Sequence, residues 1–114
     1  MPSDRSLRVG ELIQRELTQL LLREIELPEG TLATVTRVKV DPELKEAKVY
    51  VSVLPFGRRY VVFNRLKKVR KSLQKQINSK LYMYSVPKIE FVIDDTEEKA
   101  SIIDKLLDST PPEA

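Results

Sequence analysis

The 114-residue chain contains no cysteine, no histidine and no tryptophan. Without cysteine it forms neither disulfides nor thiolate metal sites. Without histidine it lacks the commonest general base near neutral pH and the imidazole ligand. The two absences together remove the most nucleophilic side chain and its usual activating base. What remains is carboxylate, lysine, tyrosine and hydroxyl chemistry, so no catalytic residue, metal ligand or cofactor is expected. Glycine is scarce, and Gly10, Gly30 and Gly57 lack the strand, glycine loop and helix context of a nucleotide site. No apolar run approaches the roughly 20 residues that span a bilayer. The start, Met1 to Arg5, leads into a charged amphipathic segment and has no signal-peptide core. These absences favour a cytoplasmic protein with no membrane partner and no small-molecule substrate. The length suits one compact domain over residues 1–108, followed by a flexible tail at 109–114.

The most telling absence is local. From Ala47 to Ile89 there is no Asp or Glu, against eleven Lys or Arg. Residues 1–46 carry nine acids and seven bases, and residues 90–114 carry eight acids and two bases. The net charge of +3 therefore conceals an electropositive middle between acidic flanks. A merely solvated Lys-rich helix face normally has acids one helical turn away; here they are missing, which favours a nucleic-acid partner.

The apolar pattern supplies the elements. Val9, Leu12, Ile13, Leu17, Leu20, Leu21 and Ile25 recur at helical spacing between Ser6 and Glu26, and Leu27-Pro28-Glu29-Gly30 ends that helix. Thr31 to Val40 is rich in β-branched residues and predicts a strand. After the turn Asp41-Pro42-Glu43-Leu44, the alternation of Ala47, Val49, Val51 and Val53 predicts a second strand, antiparallel to the first. Between Arg58 and Leu81 the stripe Val62, Leu66, Val69, Leu73 and Ile77 marks one long helix or two end to end. Lys67, Lys71 and Lys75 form a basic stripe opposite, with Lys68 and Arg65 flanking it. Lys88 to Ile93 predicts a third strand. Asp94-Asp95-Thr96-Glu97 predicts the start of a short last helix carrying Ala100, Ile103, Leu106 and Leu107. Three strands covered on one face by two amphipathic helices make a small α+β sandwich.

These residues resemble the ribosome-binding factor A family from about Arg5 to Leu107. The resemblance begins with Arg5, Arg8 and Val9, followed by Ile13, Glu16 and Leu17. It is most specific in the hairpin, from Val35-Thr36-Arg37-Val38 through Asp41-Pro42-Glu43-Leu44 to Ala47-Lys48-Val49-Tyr50-Val51-Ser52. Val86-Pro87-Lys88-Ile89-Glu90-Phe91 with Asp94 matches the third strand and its exit. The resemblance implies a type II KH-like domain of order α-β-β-α(α)-β plus a short C-terminal helix, with its helices on one face of a three-stranded sheet. It also implies a non-catalytic factor of late small-subunit maturation and rRNA processing, which binds the small ribosomal subunit and its rRNA and supports growth in the cold. The family joins its middle helices through a kinked Ala-x-Gly. That place falls near Val69-Arg70-Lys71, which has neither residue, so the helix either kinks without glycine or runs through. The family's Arg after the kink is replaced by Gln74. A glycine loop that clamps nucleotides is absent.

The candidate RNA-binding set is Arg58, Arg59, Arg65, Lys67, Lys68, Arg70, Lys71, Lys75 and Lys80. Cations along a helix follow phosphates and gain affinity by releasing counterions; about half of the nine are expected to serve solubility alone. Lys48 and Lys88 extend the patch if their strand faces point the same way, which spacing leaves open. Tyr82 and Tyr84 would stack on bases or, more commonly, cover a core edge. Tyr50 and Phe91 are expected in the core, and Phe56 and Phe63 are expected to staple the long helix to the sheet. The Asp94–Asp95 pair reads as a helix cap, not as a catalytic or metal site. The expected state is a monomer. The competing readings are a general KH-like RNA-binding module and a protein–protein adaptor.

Overall fold

The computed structural model describes residues 3–83 and 85–108. The expected tail at 109–114 and Tyr84 lie outside the described residues. The elements are α1 (Asp4–Glu24), β1 (Leu32–Val40), β2 (Glu46–Leu54), a 3-10 turn (Phe56–Arg58), α2 (Arg59–Lys80), β3 (Lys88–Ile93) and α3 (Thr96–Asp108). Their order is the one the periodicity predicts.

Helix α1 begins before Ser6 because Ser3 caps it, its Oγ accepting the Ser6 N–H at 3.1 Å. Val9, Ile13, Leu17, Leu20 and Leu21 bury the helix against the sheet. Leu12, expected on that stripe, falls beyond its edge and is exposed. The helix lies so near β1 that a Cβ on Gly10 would stand 3.0 Å from the Val38 carbonyl oxygen. At that position glycine is what permits the approach.

The sheet order is β1-β2-β3, with β1 and β2 antiparallel and β2 and β3 parallel. A parallel neighbour needs a long crossover, which α2 supplies. Asp41 organises the hairpin loop, its Oδ1 accepting from the N–H groups of Lys45 at 2.7 Å and Glu46 at 3.0 Å. Ala47, Val49 and Val51 of β2, together with Ile89 of β3, are fully buried on the inner face, beneath α1 and α2. Each of the valine and isoleucine side chains contributes about 1.5–3 kcal/mol on burial.

A bulge falls between Val35 and Arg37. Strict alternation from the buried Val35 would turn Arg37 and Lys39 into the core. The extra residue, Thr36, shifts the phase, so that Val40 is buried and Arg37 and Lys39 point outward. The outer face of the sheet carries these two cations with Lys48 and Tyr50. Tyr50, expected in the core, is therefore a half-buried residue of the outer face, paired with Arg37. Phe91 is in the core, as its strand position predicts.

Helix α2 runs unbroken through Val69-Arg70-Lys71, where neither proline nor glycine interrupts it. Helix α3 leaves the sheet after β3, with Ile102, Ile103, Leu106 and Leu107 between 50% and 66% exposed. Among the described residues, no helix is long and apolar enough to cross a membrane.

Candidate nucleic-acid interface

The rotation of α2 is set by what it buries. Val62, Leu66, Leu73 and Ile77 are fully buried, and Val69 packs half-buried against them. At 3.6 residues per turn this sends Lys67, Lys68, Lys71 and Lys75 to the side away from the sheet, where all four are exposed. None of them has an ion-pair partner among the described residues. Lys67 lies 5.7 Å from the centre of the Phe63 ring. Like charges one turn apart disfavour the helix by about 0.2–0.5 kcal/mol per pair, so this stripe opposes folding slightly.

The other five candidates are placed differently. Arg58 is exposed at the N-cap of α2. Arg59 lies between the rings of Phe56, at 4.3 Å, and Tyr60, at 4.7 Å, and donates to the Phe56 carbonyl at 3.1 Å. Arg65 is half-buried and donates to the Glu26 carbonyl just beyond the end of α1. Arg70 is half-buried on the flank of the stripe. Lys80 pairs with Glu16 Oε2 at 3.4 Å and so joins the two helices. Four lysines thus make a continuous unpaired face, while Arg59, Arg65 and Lys80 are already engaged within the fold.

Gln74, at the position of the family's Arg, is also engaged. Its Oε1 accepts the Ile89 N–H at 2.8 Å, and its Nε2 donates to the Pro87 carbonyl at 3.1 Å. The side chain satisfies both backbone groups on the free edge of β3, a role that spacing does not reveal.

Tyr82 is fully exposed and covers no core; Tyr84 is outside the described residues. Phe63 packs half-buried against the core, as a staple requires, whereas Phe56 faces the Arg59 guanidinium and only borders a depression shared with Phe63 and Ile93. Lys48 and Lys88 project from the outer face, on the side opposite the α2 lysines, and do not extend that patch. A second basic cluster is instead built there. The Arg37 guanidinium lies 4.1 Å from the centre of the Tyr50 ring and the Lys39 ammonium 5.9 Å from it. The only sequence signal for this cluster is the broken alternation between Val35 and Val38.

The acid pair is accounted for locally. Asp94 accepts from the Thr36 hydroxyl at 2.6 Å, the Thr96 hydroxyl at 2.6 Å and the Thr96 N–H at 3.0 Å. These bonds, the Thr36 one foremost, hold its pKa down at about 2. Asp95 pairs with Lys99 at 3.4 Å one turn along α3. Both carboxylates therefore serve the start of α3, and Asp94, through Thr36, ties it to β1.

The comparisons with known proteins agree with this architecture. A sequence model of the family described as "Ribosome-binding factor A" matches residues 5–107. A ribosome-binding factor A of Nitrosococcus oceani is 36% identical over 107 residues, covering 91% of this chain and 83% of the relative. One from Pelagibacter ubique is 39% identical over 113 residues, covering 95% and 91%. Among solved structures, ribosome-binding factor A from Thermus thermophilus superposes with a TM-score of 0.68 at 17% identity, over 77% of this chain and 94% of that one. These likenesses show an α+β, KH-like fold, here without a Gly-x-x-Gly loop. With the family pattern spanning nearly all of it, the chain belongs to the ribosome-binding factor A family.

Proposed function

We propose that this chain is a non-catalytic assembly factor, working as a cytoplasmic monomer, that binds the small ribosomal subunit and its rRNA during late maturation and rRNA processing. The observation that carries this reading is the acid-free face of α2, on which Lys67, Lys68, Lys71 and Lys75 stand exposed, with no ion-pair partner among the described residues. Its relatives are named for ribosome binding. The four lysines, with Arg58 and Arg70 beside them, follow phosphates, while Arg59, Arg65, Lys80 and Gln74 keep the helix in place. Docking is electrostatic and directed by shape, since no glycine loop offers a backbone clamp.

Co-sedimentation in a sucrose gradient tests the proposal. The tagged protein is expected in fractions holding immature small subunits at low salt, and is expected to leave them as salt rises. Protein that stays at the top of the gradient at low salt overturns the reading, and salt-insensitive co-sedimentation favours a protein–protein adaptor. Reversing charge with Lys67→Glu, Lys71→Glu and Lys75→Glu together abolishes co-sedimentation. The circular dichroism spectrum and cooperative melting persist, because all three side chains point away from the core.

A further inference from the structure

The outer face of the sheet carries a constellation that folding alone does not call for. Lys39 and Lys48 are direct cross-strand partners in the β1–β2 register. Like charges facing each other across a ladder are unfavourable, and neither lysine has an ion-pair partner among the described residues. Glu90, opposite Lys48 on β3, forms no ion pair with it. In the next row Arg37 faces Tyr50, with its guanidinium over the ring. The Thr36 bulge is what brings both β1 cations to this face; without it they would point into the core.

We propose that this outer face is a second RNA-contact surface, opposite the α2 face, which takes an unpaired segment. One base stacks on the Arg37–Tyr50 pair, and Lys39 and Lys48 engage the flanking phosphates. This deepens the assembly-factor reading and rests on it for the identity of the RNA.

Two features select single-stranded RNA over an acidic polypeptide. The cations are arranged around a ring, and the guanidinium over that ring exposes a second planar surface. Arg planes and aromatic rings both accept unstacked bases, whereas carboxylates would need only the charges. The row lies along β1 and β2; Glu90 of β3 flanks Lys48 on one side, so the phosphate is placed on the other side, between Lys48 and its β1 partner Lys39. Beside it a depression of about 390 Å³, bordered by Lys39, Lys48 and Tyr50 and also by Asp41 and Glu46, leaves room for a ribose or an adjacent base, while the phosphates stay on the lysines. Because α1 and α2 cover only the inner face, the two basic surfaces stand on opposite sides of the sandwich. One molecule bound at both therefore bridges two RNA segments.

The test titrates the full chain into fluorescein-labelled octauridylate and octaadenylate, read by anisotropy at several salt concentrations. Each variant is also run through the small-subunit gradient. Lys39→Gln with Lys48→Gln is expected to weaken octamer binding at least tenfold. It should also flatten the slope of log K against log salt by about 1.4, the share of two phosphates on a single strand. Tyr50→Val keeps a strand-forming residue and is expected to weaken binding at least fivefold with the salt slope unchanged. The α2 triple reversal is expected to lose the small subunit and, because those lysines follow phosphates too, to weaken octamer binding as well, with losses that add when it is combined with the sheet variants. Circular dichroism verifies the fold of each variant.

Wild-type affinity for both octamers in the sheet variants overturns the proposal, as does the absence of octamer binding by the wild type at low salt. If the sheet variants bind octamers normally but leave the subunit, the face docks on protein and the RNA proposal is overturned. Octamer binding that tracks the sheet face, without any co-sedimentation of the wild type, sustains this surface while the ribosome reading fails.

Discussion

Helices α1 and α2 are nearly equal in length and pack side by side on one face of the same sheet, yet they distribute charge in opposite ways. Helix α1 carries four acids and four bases, whereas α2 carries eight bases and no acid. Each buries an aliphatic stripe that reads directly from its periodicity. The helices differ on the side away from the core, where packing imposes little. On α1 the mixed charges neutralise each other, as on an ordinary solvated face. On α2 the lysines repel at four-residue intervals, and the single ion pair that the described residues give this helix comes from α1, through Glu16 and Lys80. A surface that costs the fold something and has no ion-pair partner among the described residues suits a partner outside the chain.

The strongest test of the shared half of this comparison is in the core. Leu17 on α1 and Leu73 on α2 are both fully buried, so Leu17→Ala and Leu73→Ala should each cost about 2–5 kcal/mol. That is a large part of the roughly 5–15 kcal/mol typical of a domain. Urea denaturation measures both; a Leu73→Ala loss below about 1 kcal/mol would mean that α2 does not anchor the core as α1 does. A smaller effect separates the helices through their glutamines. Gln74→Ala leaves the Ile89 N–H and the Pro87 carbonyl without their partner and should cost about 1–3 kcal/mol. Gln14 reaches only the Thr36 carbonyl, at 3.4 Å on an exposed edge, so Gln14→Ala should stay within about 0.5 kcal/mol. Equal losses at the two positions would remove the claim that Gln74 anchors β3.

How much of this is legible in the chain follows from how local each cause is. The order of elements, the hairpin and the buried stripes depend on spacing within one segment, and spacing is visible in the sequence. The continuity of α2 is half legible: the missing glycine removes one device for a kink, but nothing in the segment shows that the helix runs on. The partition of the basic residues is legible where helix phase decides it, as for Lys67, Lys71 and Lys75. It is not legible for Lys80 and Arg65, because Glu16 and the Glu26 carbonyl are brought to them only by the packing of α1. Tyr50 is misplaced by sequence reasoning for a different reason. An aromatic in a strand suits a core by composition, and only the face assignment of β2, made firm by the buried Val49 and Val51, puts the ring outside. The cations beside it depend on the bulge at Thr36, where a single extra residue in β1 reverses the two faces.

The finest test of the comparison makes α2 slightly more like α1. Lys71→Glu turns two repulsive neighbours, Lys67–Lys71 and Lys71–Lys75, into attractive ones. At about 0.2–0.5 kcal/mol for each of the two interactions removed and two gained, stability should rise by about 1–2 kcal/mol at low salt. Of the two new attractions the larger should be the pairing of the introduced carboxylate with Lys75, which has the favourable acid-first order, and salt should screen the whole gain away. Small-subunit affinity should fall in the same variant if the proposed interface is the one used, because one of its cations has been reversed. Thermal melts at two salt concentrations, set beside the gradient, read both quantities. A gain in stability with a loss of binding is the expected signature of a face kept basic for a ligand and at some expense to the fold. Lower stability would instead mean that the Lys71 stem packs against the helix surface and that the charge pattern on α2 serves the fold after all.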